Sequence, residues 1–213
     1  VQVLRMASLQ PGAVFAGRYR IEQRLGAGGA GEVFRAHDQV ADQVLALKVL
    51  FPKAGAQRDP LDRLRRELRL VRDLTHPGVV RIHDVGEHEG LLYVVMELLE
   101  GESLASRIRT KGRLTAEEVV RIGEQLLEAL AQAHDSGVVH RDIKPGNIFI
   151  ARLPVGAERI VLLDFGLARR ENLERMTMTG QFLGTPEYVS PQQARGEPDV
   201  GPASDIYSAG IVL

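Results

Sequence analysis

Near residue 100 the hydrophobic period of this chain changes, and that change limits the folds open to it. From Tyr19 to about Leu50 the sequence alternates and breaks at glycines, with Val33, Val44, Leu45, Leu47 and Val49 at strand-like spacing. Successive side chains of a strand point to opposite faces, so this stretch predicts an antiparallel hairpin group. Val79 to Ile82 and Leu91 to Met96 predict two further strands, with Glu100-Gly101 ending the second. Past that point Thr115 and Glu118 form a capping box, and Val119, Ile122, Leu126, Leu130 and Ala133 share one face of a helix that Gly137 caps. Strands gathered in one half and helices in the other predict an α+β chain, built as one large domain or two small lobes. The expected division is a flanking segment over 1–18, a first lobe over 19–99 and a second over 100–213.

Within the β-rich half one helix is expected. Asp59-Pro60 supplies an N-cap acceptor and a proline at the first helical position, and Leu61, Leu64, Leu68 and Val71 recur at helical spacing until near Leu74. In the second half Ile148 to Ile150 and Ile160 to Leu163 predict short strands. Glycine, proline and threonine then fill an irregular stretch to about Gly201, and loops that long inside a domain are usually functional.

Composition removes several function classes. With 27 basic and 28 acidic residues the formal charge is -1, which supplies no global positive field for nucleic acid or an anionic membrane. The apolar fraction of 44% suits a globular core, and the absence of cysteine excludes disulfides, thiolate nucleophiles and Cys-ligated zinc. Neither a signal pattern nor an apolar run approaching the roughly 18 residues of a membrane span is present, so the expected location is the cytoplasm.

Gly26, Gly28 and Gly31 have the spacing G-x-G-x-x-G, found in more than one nucleotide-binding fold. A dinucleotide fingerprint needs a helix opening at the last glycine, whereas Glu32, Val33, Phe34, Arg35 and Ala36 alternate like a strand. The loop therefore joins two strands, and it reads either as a phosphate cradle or as a plain tight turn. On the segment Leu45 to Leu50, period two puts Ala46 and Lys48 on the same face, leaving room for a planar ring beside an ammonium. An interior lysine on an apolar strand needs an anion. Glu67, between Leu64 and Val71 on the expected helix, is one candidate; the other reading pairs Glu67 with Arg63 or Arg66 in solvent.

Residues 140–147 read His-Arg-Asp-Ile-Lys-Pro-Gly-Asn, and 17 residues after Asn147 comes Asp164-Phe165-Gly166 at the end of an apolar strand. With the glycine loop, Lys48 and Glu67 ahead of them, these segments resemble the catalytic loop and the metal-binding turn of the eukaryotic-type protein kinase family, in the family's order. The resemblance runs from about Tyr19 to Leu213 and implies a two-lobed kinase-like fold. It also implies ATP and Mg2+ as cofactors and the transfer of a γ-phosphate to a protein hydroxyl. Asp142 would orient the incoming hydroxyl and accept its proton, while Asn147 and Asp164 would hold magnesium. Lys48, paired with Glu67, would contact the α- and β-phosphates, and Lys144 the transferring phosphate. Only four of the 27 basic residues are lysine, and two of those four stand at these positions.

By the same resemblance Leu25, Val33 and Ala46 form the roof of an adenine site and Phe149 its floor. Met96 guards the back, and the backbones of Glu97 and Leu99 supply the hinge hydrogen bonds. For Phe149 and Met96, plain core packing is the competing reading. Lys144 two places after Asp142, with Gly184-Thr185 ahead of Pro186, resembles the serine/threonine-specific members, and the wording of the glycine loop resembles the bacterial ones. Thr177 and Thr179 lie where phosphorylation would bring a phosphothreonine to Arg141 and order the loop; two solvated threonines are the alternative. The implied partners are protein substrates with Ser or Thr acceptors, and a second copy for trans-autophosphorylation.

The match departs from the family in two places. Ser190-Pro191-Gln192 stands where an acidic third residue normally pairs with an arginine of a later helix. Asp205 to Gly210 resembles the beginning of the family's large central helix, which leads to the expectation of a chain truncated on its C-terminal side. Exposed apolar faces, poor solubility or dimerisation would follow, and a membrane anchor could lie past residue 213 in the parent. The alternative reading of function is a catalytically silent nucleotide-binding or scaffolding module; a nicotinamide dehydrogenase is the third.

Overall fold

The computed structural model describes residues 9–28, 31–50, 71–165, 186–197 and 200–213. The helix expected from Asp59, together with Glu67, Gly166, Thr177, Thr179, Gly184 and Thr185, lies outside the described residues, apart from a helical turn over 71–73. The described residues fall into two compact units, one of 9–50 and Ile82–Leu98, the other of 71–81 and Leu99–Leu213.

The first unit is an antiparallel sheet in which β1 (Val14–Phe15), β2 (Tyr19–Gly28), β3 (Gly31–Asp38), β4 (Gln43–Leu50), β6 (Leu91–Met96) and β5 (Ile82–His88) follow one another across the sheet. Alternation along β4 separates two faces. Leu45, Leu47 and Val49 join Phe15, Tyr19, Ile21, Phe34, Ala36 and Val95 in one buried apolar cluster. Each such side chain contributes about 1.5–3 kcal/mol by leaving water. Ala46 and Lys48 point the other way, and both are nonetheless buried. Edge-on contacts of Phe15 with His88 and Tyr93, at 5.1 and 5.3 Å between ring centroids, tie β1 to the far hairpin. An ion pair closes the β3–β4 end: Arg18 donates to both carboxylate oxygens of Asp38 at 2.8 and 2.7 Å, and Asp38 also accepts the N–H groups of Val40 and Ala41.

Where Val79 to Ile82 was expected as a strand, Val79 makes a single parallel bridge to Leu162 and Ile82 opens the next strand, opposite Met96. The strand begins at Ile82 and forms a hairpin with β6 around Glu89 and Gly90, both at positive φ. Its residues are mostly polar because β5 is a sheet edge and only Ile82 is buried. Residues 71–81, counted in the first lobe on sequence, cluster with the second unit. The reason is backbone pairing: Leu162 donates to the Gly78 carbonyl at 2.8 Å and accepts from the Val80 N–H at 3.1 Å.

In the second unit β7 (Gly101–Ser103) leads into α1 (Leu104–Lys111), capped by the Ser103 hydroxyl. Helix α2 (Ala116–Asp135) has the expected capping box of Thr115 and Glu118, and it buries Ile122, Leu126, Leu130 and Ala133 on one face. Ser136 caps its end, and Gly137 follows at φ 74 with its N–H on the His134 carbonyl. Strands β8 (Ile148–Arg152) and β9 (Glu158–Leu162) form a three-stranded antiparallel sheet with β7. A short helix α3 (Pro191–Ala194) and the helix α4 (Pro202–Val212) complete the unit.

Candidate active site

In the first unit the candidate residues occupy the face of the sheet opposite the apolar cluster. Lys48 lies across from Val33 on β3 and Val94 on β6, and Ala46 across from Met96. Lys48, Ala46 and Met96 are each less than a tenth exposed. Gly26 pairs with Val33, and Leu25 sits at the neighbouring irregularity in the β2–β3 register, half of its surface exposed. Glu97 follows β6 and is half-buried.

The three glycines have different tasks. At Gly26 a Cβ would meet nothing within 4 Å, so this position leaves space above the sheet. At Gly31, with φ +148, a Cβ would come 2.0 Å from the Val49 carbonyl oxygen. Only glycine lets β3 approach β4 there, so Gly31 is a requirement of the strand pairing in its own right. Gly28 ends β2, opposite Gly31.

The second unit collects the catalytic-loop candidates. Lys144 Nζ and Asn147 Nδ2 both donate to Asp142 Oδ2, at 2.7 and 2.9 Å, and Asn147 Nδ2 also reaches the Asp142 carbonyl at 2.8 Å. The Leu163 N–H donates to the Asn147 carbonyl at 2.9 Å, which brings the residue before Asp164 onto this loop. Asp142, Lys144, Asn147 and Asp164 therefore share one neighbourhood. Phe149 stands on β8 across from Ser103 and Val161, half-buried, and Leu99 is half-buried ahead of β7.

His140 supplies a second link between the same two segments. Its ring is buried 4.6 Å from the Phe165 ring, and burial pushes its pKa below the ordinary imidazole value. Nδ1 accepts the Asp142 N–H at 3.2 Å, so Nε2 carries the proton and donates to the Leu163 carbonyl at 2.8 Å. A neutral imidazole in one tautomer thus joins the catalytic loop to the strand end that precedes Asp164.

Beneath the loop lies a residue that motif reading left without a role. Asp205 on α4 is 1% exposed and accepts three hydrogen bonds: from the N–H of Arg141 at 2.7 Å, the N–H of His140 at 2.7 Å and His134 Nε2 at 2.8 Å. A buried carboxylate is tolerated only when its oxygens are satisfied in this way. An acidic residue in the otherwise small and apolar run from Pro202 to Val212 was the sequence signal for it. Arg141 adopts φ 64 and Asp164 φ 54, left-handed conformations that cost of order 1–3 kcal/mol away from glycine and gather at functional sites. Arg141 Nε makes a long contact of 3.5 Å with the Val200 carbonyl. Gln192, at the departure from the family pattern, is half-buried, and its carbonyl accepts the Glu197 N–H.

Comparison with known proteins agrees with this geometry. A family model described as the protein kinase domain matches residues 19–213. The serine/threonine-protein kinase PknA of Mycobacterium tuberculosis is 41% identical over 206 residues, covering 94% of this chain and 47% of PknA. The serine/threonine-protein kinase PrkC of Bacillus subtilis is 40% identical over 205 residues, covering 95% of this chain and 30% of PrkC. The chain thus spans less than half the length of either relative. Among solved structures, a double mutant of the kinase domain of Mycobacterium tuberculosis PknI superposes with a TM-score of 0.79 at 29% identity, covering 95% of this chain and 73% of that one.

Proposed function

The chain belongs to the protein kinase family, and on that premise we propose that it transfers the γ-phosphate of ATP to serine or threonine hydroxyls of proteins. The observation that carries the reading is the convergence of Lys144 and Asn147 on one oxygen of Asp142, within a loop laced to the segment of Asp164. The transition state of phosphoryl transfer is loose and highly charged, so positioning and charge neutralisation do most of the work. Asp142, its carboxylate held by two donors, orients the acceptor hydroxyl and takes its proton as the oxygen attacks phosphorus. Lys144, an ammonium beside that carboxylate, meets charge developing on the transferring group. Lys48 with Glu67 holds the α- and β-phosphates, under the loop of Gly26, Gly28 and Gly31. Leu25, Val33, Ala46 and Met96, with the Glu97 backbone, are the contacts to the base assigned to the first unit, and Phe149 with the Leu99 backbone those assigned to the second.

The donor set suits magnesium. Asn147 commits its amide nitrogen to Asp142, which leaves its amide oxygen as the ligand atom, and Asp164 adds a carboxylate. When bound, the ion neutralises phosphate charge. Arg141, Thr177, Thr179 and Thr185 are proposed as the regulatory group, with Thr177 or Thr179 phosphorylated in trans by a second copy and Arg141 as the partner of the phosphothreonine. The reading of a catalytically silent module has no support from the relatives, which are named serine/threonine-protein kinases. Among the described residues no helix is long and apolar enough to cross a membrane, and the reactions proposed need ATP as the cytoplasm supplies it.

Radiolabelled ATP, magnesium and a generic basic protein acceptor test the proposal. Label is expected on serine and threonine of the acceptor, and mass spectrometry is expected to find it on Thr177 or Thr179 as well. Absence of any transfer by the full-length protein would overturn the proposal.

A further inference from the structure

The peptide group between Arg141 and Asp142 is pinned at both ends. Its N–H, that of Asp142, donates to His140 Nδ1 at 3.2 Å, and its carbonyl, that of Arg141, accepts from Gln193 Nε2 at 2.8 Å. Gln193 is 1% exposed on the short helix α3. Its amide oxygen faces the opposite way and accepts the N–H and the hydroxyl of Ser190, each at 3.2 Å. The Ser190 hydroxyl in turn shares a short hydrogen bond with the Ser204 hydroxyl on α4. One side-chain amide therefore connects the catalytic loop to the segment after residue 185 and to the helix that carries Asp205.

We propose that Gln193 is a positioning residue for phosphoryl transfer, acting through the Arg141–Asp142 peptide to aim the Asp142 carboxylate. The inference rests on the reading of Asp142 as the acceptor of the substrate's proton. Arg141 at φ 64 is a conformation that persists only where its surroundings over-determine it. Asp205 holds its N–H and Gln193 its carbonyl, so two consecutive peptides ahead of Asp142 are fixed. The position requires a group that donates at one end and accepts at the other, which at this length is an amide. A glutamate would set an anionic oxygen against the Arg141 carbonyl. A methionine would fill the space and make neither bond. In either case the peptide loses its tether while the nucleotide-facing side chains keep their own contacts.

The test compares the full-length protein with Gln193→Glu and Gln193→Met, by steady-state transfer to a basic protein acceptor and by thermal melting with and without ATP and magnesium. Both variants are expected to lose kcat by on the order of 10- to 100-fold, with KM for ATP and the nucleotide-induced rise in melting temperature nearly unchanged. Gln193→Met buries no new charge and carries the test alone if Gln193→Glu does not fold. Unchanged kcat in Gln193→Met would overturn the inference, as would a rise in KM for ATP in step with a lost nucleotide-induced shift, since that is what general unfolding of the site produces. Inactivity of the unsubstituted protein would instead remove the reading of Asp142, and this inference with it.

Discussion

Asp205 Oδ1 accepts the backbone N–H of Arg141 at 2.7 Å across 64 residues of sequence, and its other oxygen takes the N–H of His140. A helix side chain thereby completes the hydrogen bonding of the extended part of the loop, ahead of its 3-10 turn at Pro145–Asn147. Asp205→Asn replaces one accepting oxygen by a donor that faces an N–H. The expected cost is about 2–4 kcal/mol of stability, read as a lower denaturant midpoint, together with lost transfer. A variant with the original midpoint would show that the buried carboxylate is dispensable.

Asp142→Asn keeps the shape of the side chain and an oxygen for Lys144 and Asn147, so the loop is expected to fold. The proton acceptor is gone, and transfer should fall by roughly 10²- to 10⁴-fold. Lys48→Ala should likewise stop transfer while removing only a buried charge from β4. Filter-bound radiolabel measures both; near-normal turnover in either purified variant contradicts the assigned role.

Gly26, exposed, and Gly31, buried against β4, separate binding from structure. Gly31→Ala must push the Val49 carbonyl away from a Cβ that would otherwise sit 2.0 Å from it, in a backbone conformation alanine resists. A loss of about 2 kcal/mol or more is expected. Gly26→Ala meets nothing within 4 Å, so its melting temperature should be that of the parent, and any change should be confined to KM for ATP. Equal melting temperatures for the two variants would refute this assignment.

Asp38 contributes to acid stability in the first unit. The Arg18 guanidinium lowers its pKa from the ordinary 3.8 to about 2, aided by the N–H groups of Val40 and Ala41. The folded state therefore binds this proton more weakly than the unfolded chain. The resulting stability is present in full above about pH 4 and is lost as pH falls toward 2, a contribution of about 1–2 kcal/mol once partial exposure of Arg18 is allowed for. Arg18→Ala should be less stable than the parent at pH 6, and the difference should shrink by pH 2.5. Calorimetry across that range decides it, and a difference independent of pH would count against the pair.

What could be seen before the structure was what residue type alone announces. Lys48, Asp142, Lys144, Asn147 and Asp164 are chemically marked choices, and the capping box of Thr115 and Glu118 is a local pattern that the helix then uses. Strand β5 escaped because an edge strand need not be apolar, and α1 because only Leu104 of its residues is buried. Asp205 and Gln193 escaped for a different reason. Their tasks are to meet backbone groups 64 and 52 residues away, and a backbone carbonyl leaves no trace in sequence. The departure at Gln192 drew attention by its type, while the amide that reaches the loop belongs to the residue beside it.

The grouping of residues 71–81 with the second unit bears on how the molecule can be taken apart. The polypeptide leaves the first unit before residue 71, returns at Ile82 and departs again after Leu98. No single cleavage can then release either body whole: a cut after Leu98 carries off the partner of Leu162, and a cut before residue 71 strands the β5–β6 hairpin away from β4. Split reporters or fragment complementation would need four pieces rather than two, and nascent β4 must wait for β6 until the intervening stretch has left the ribosome.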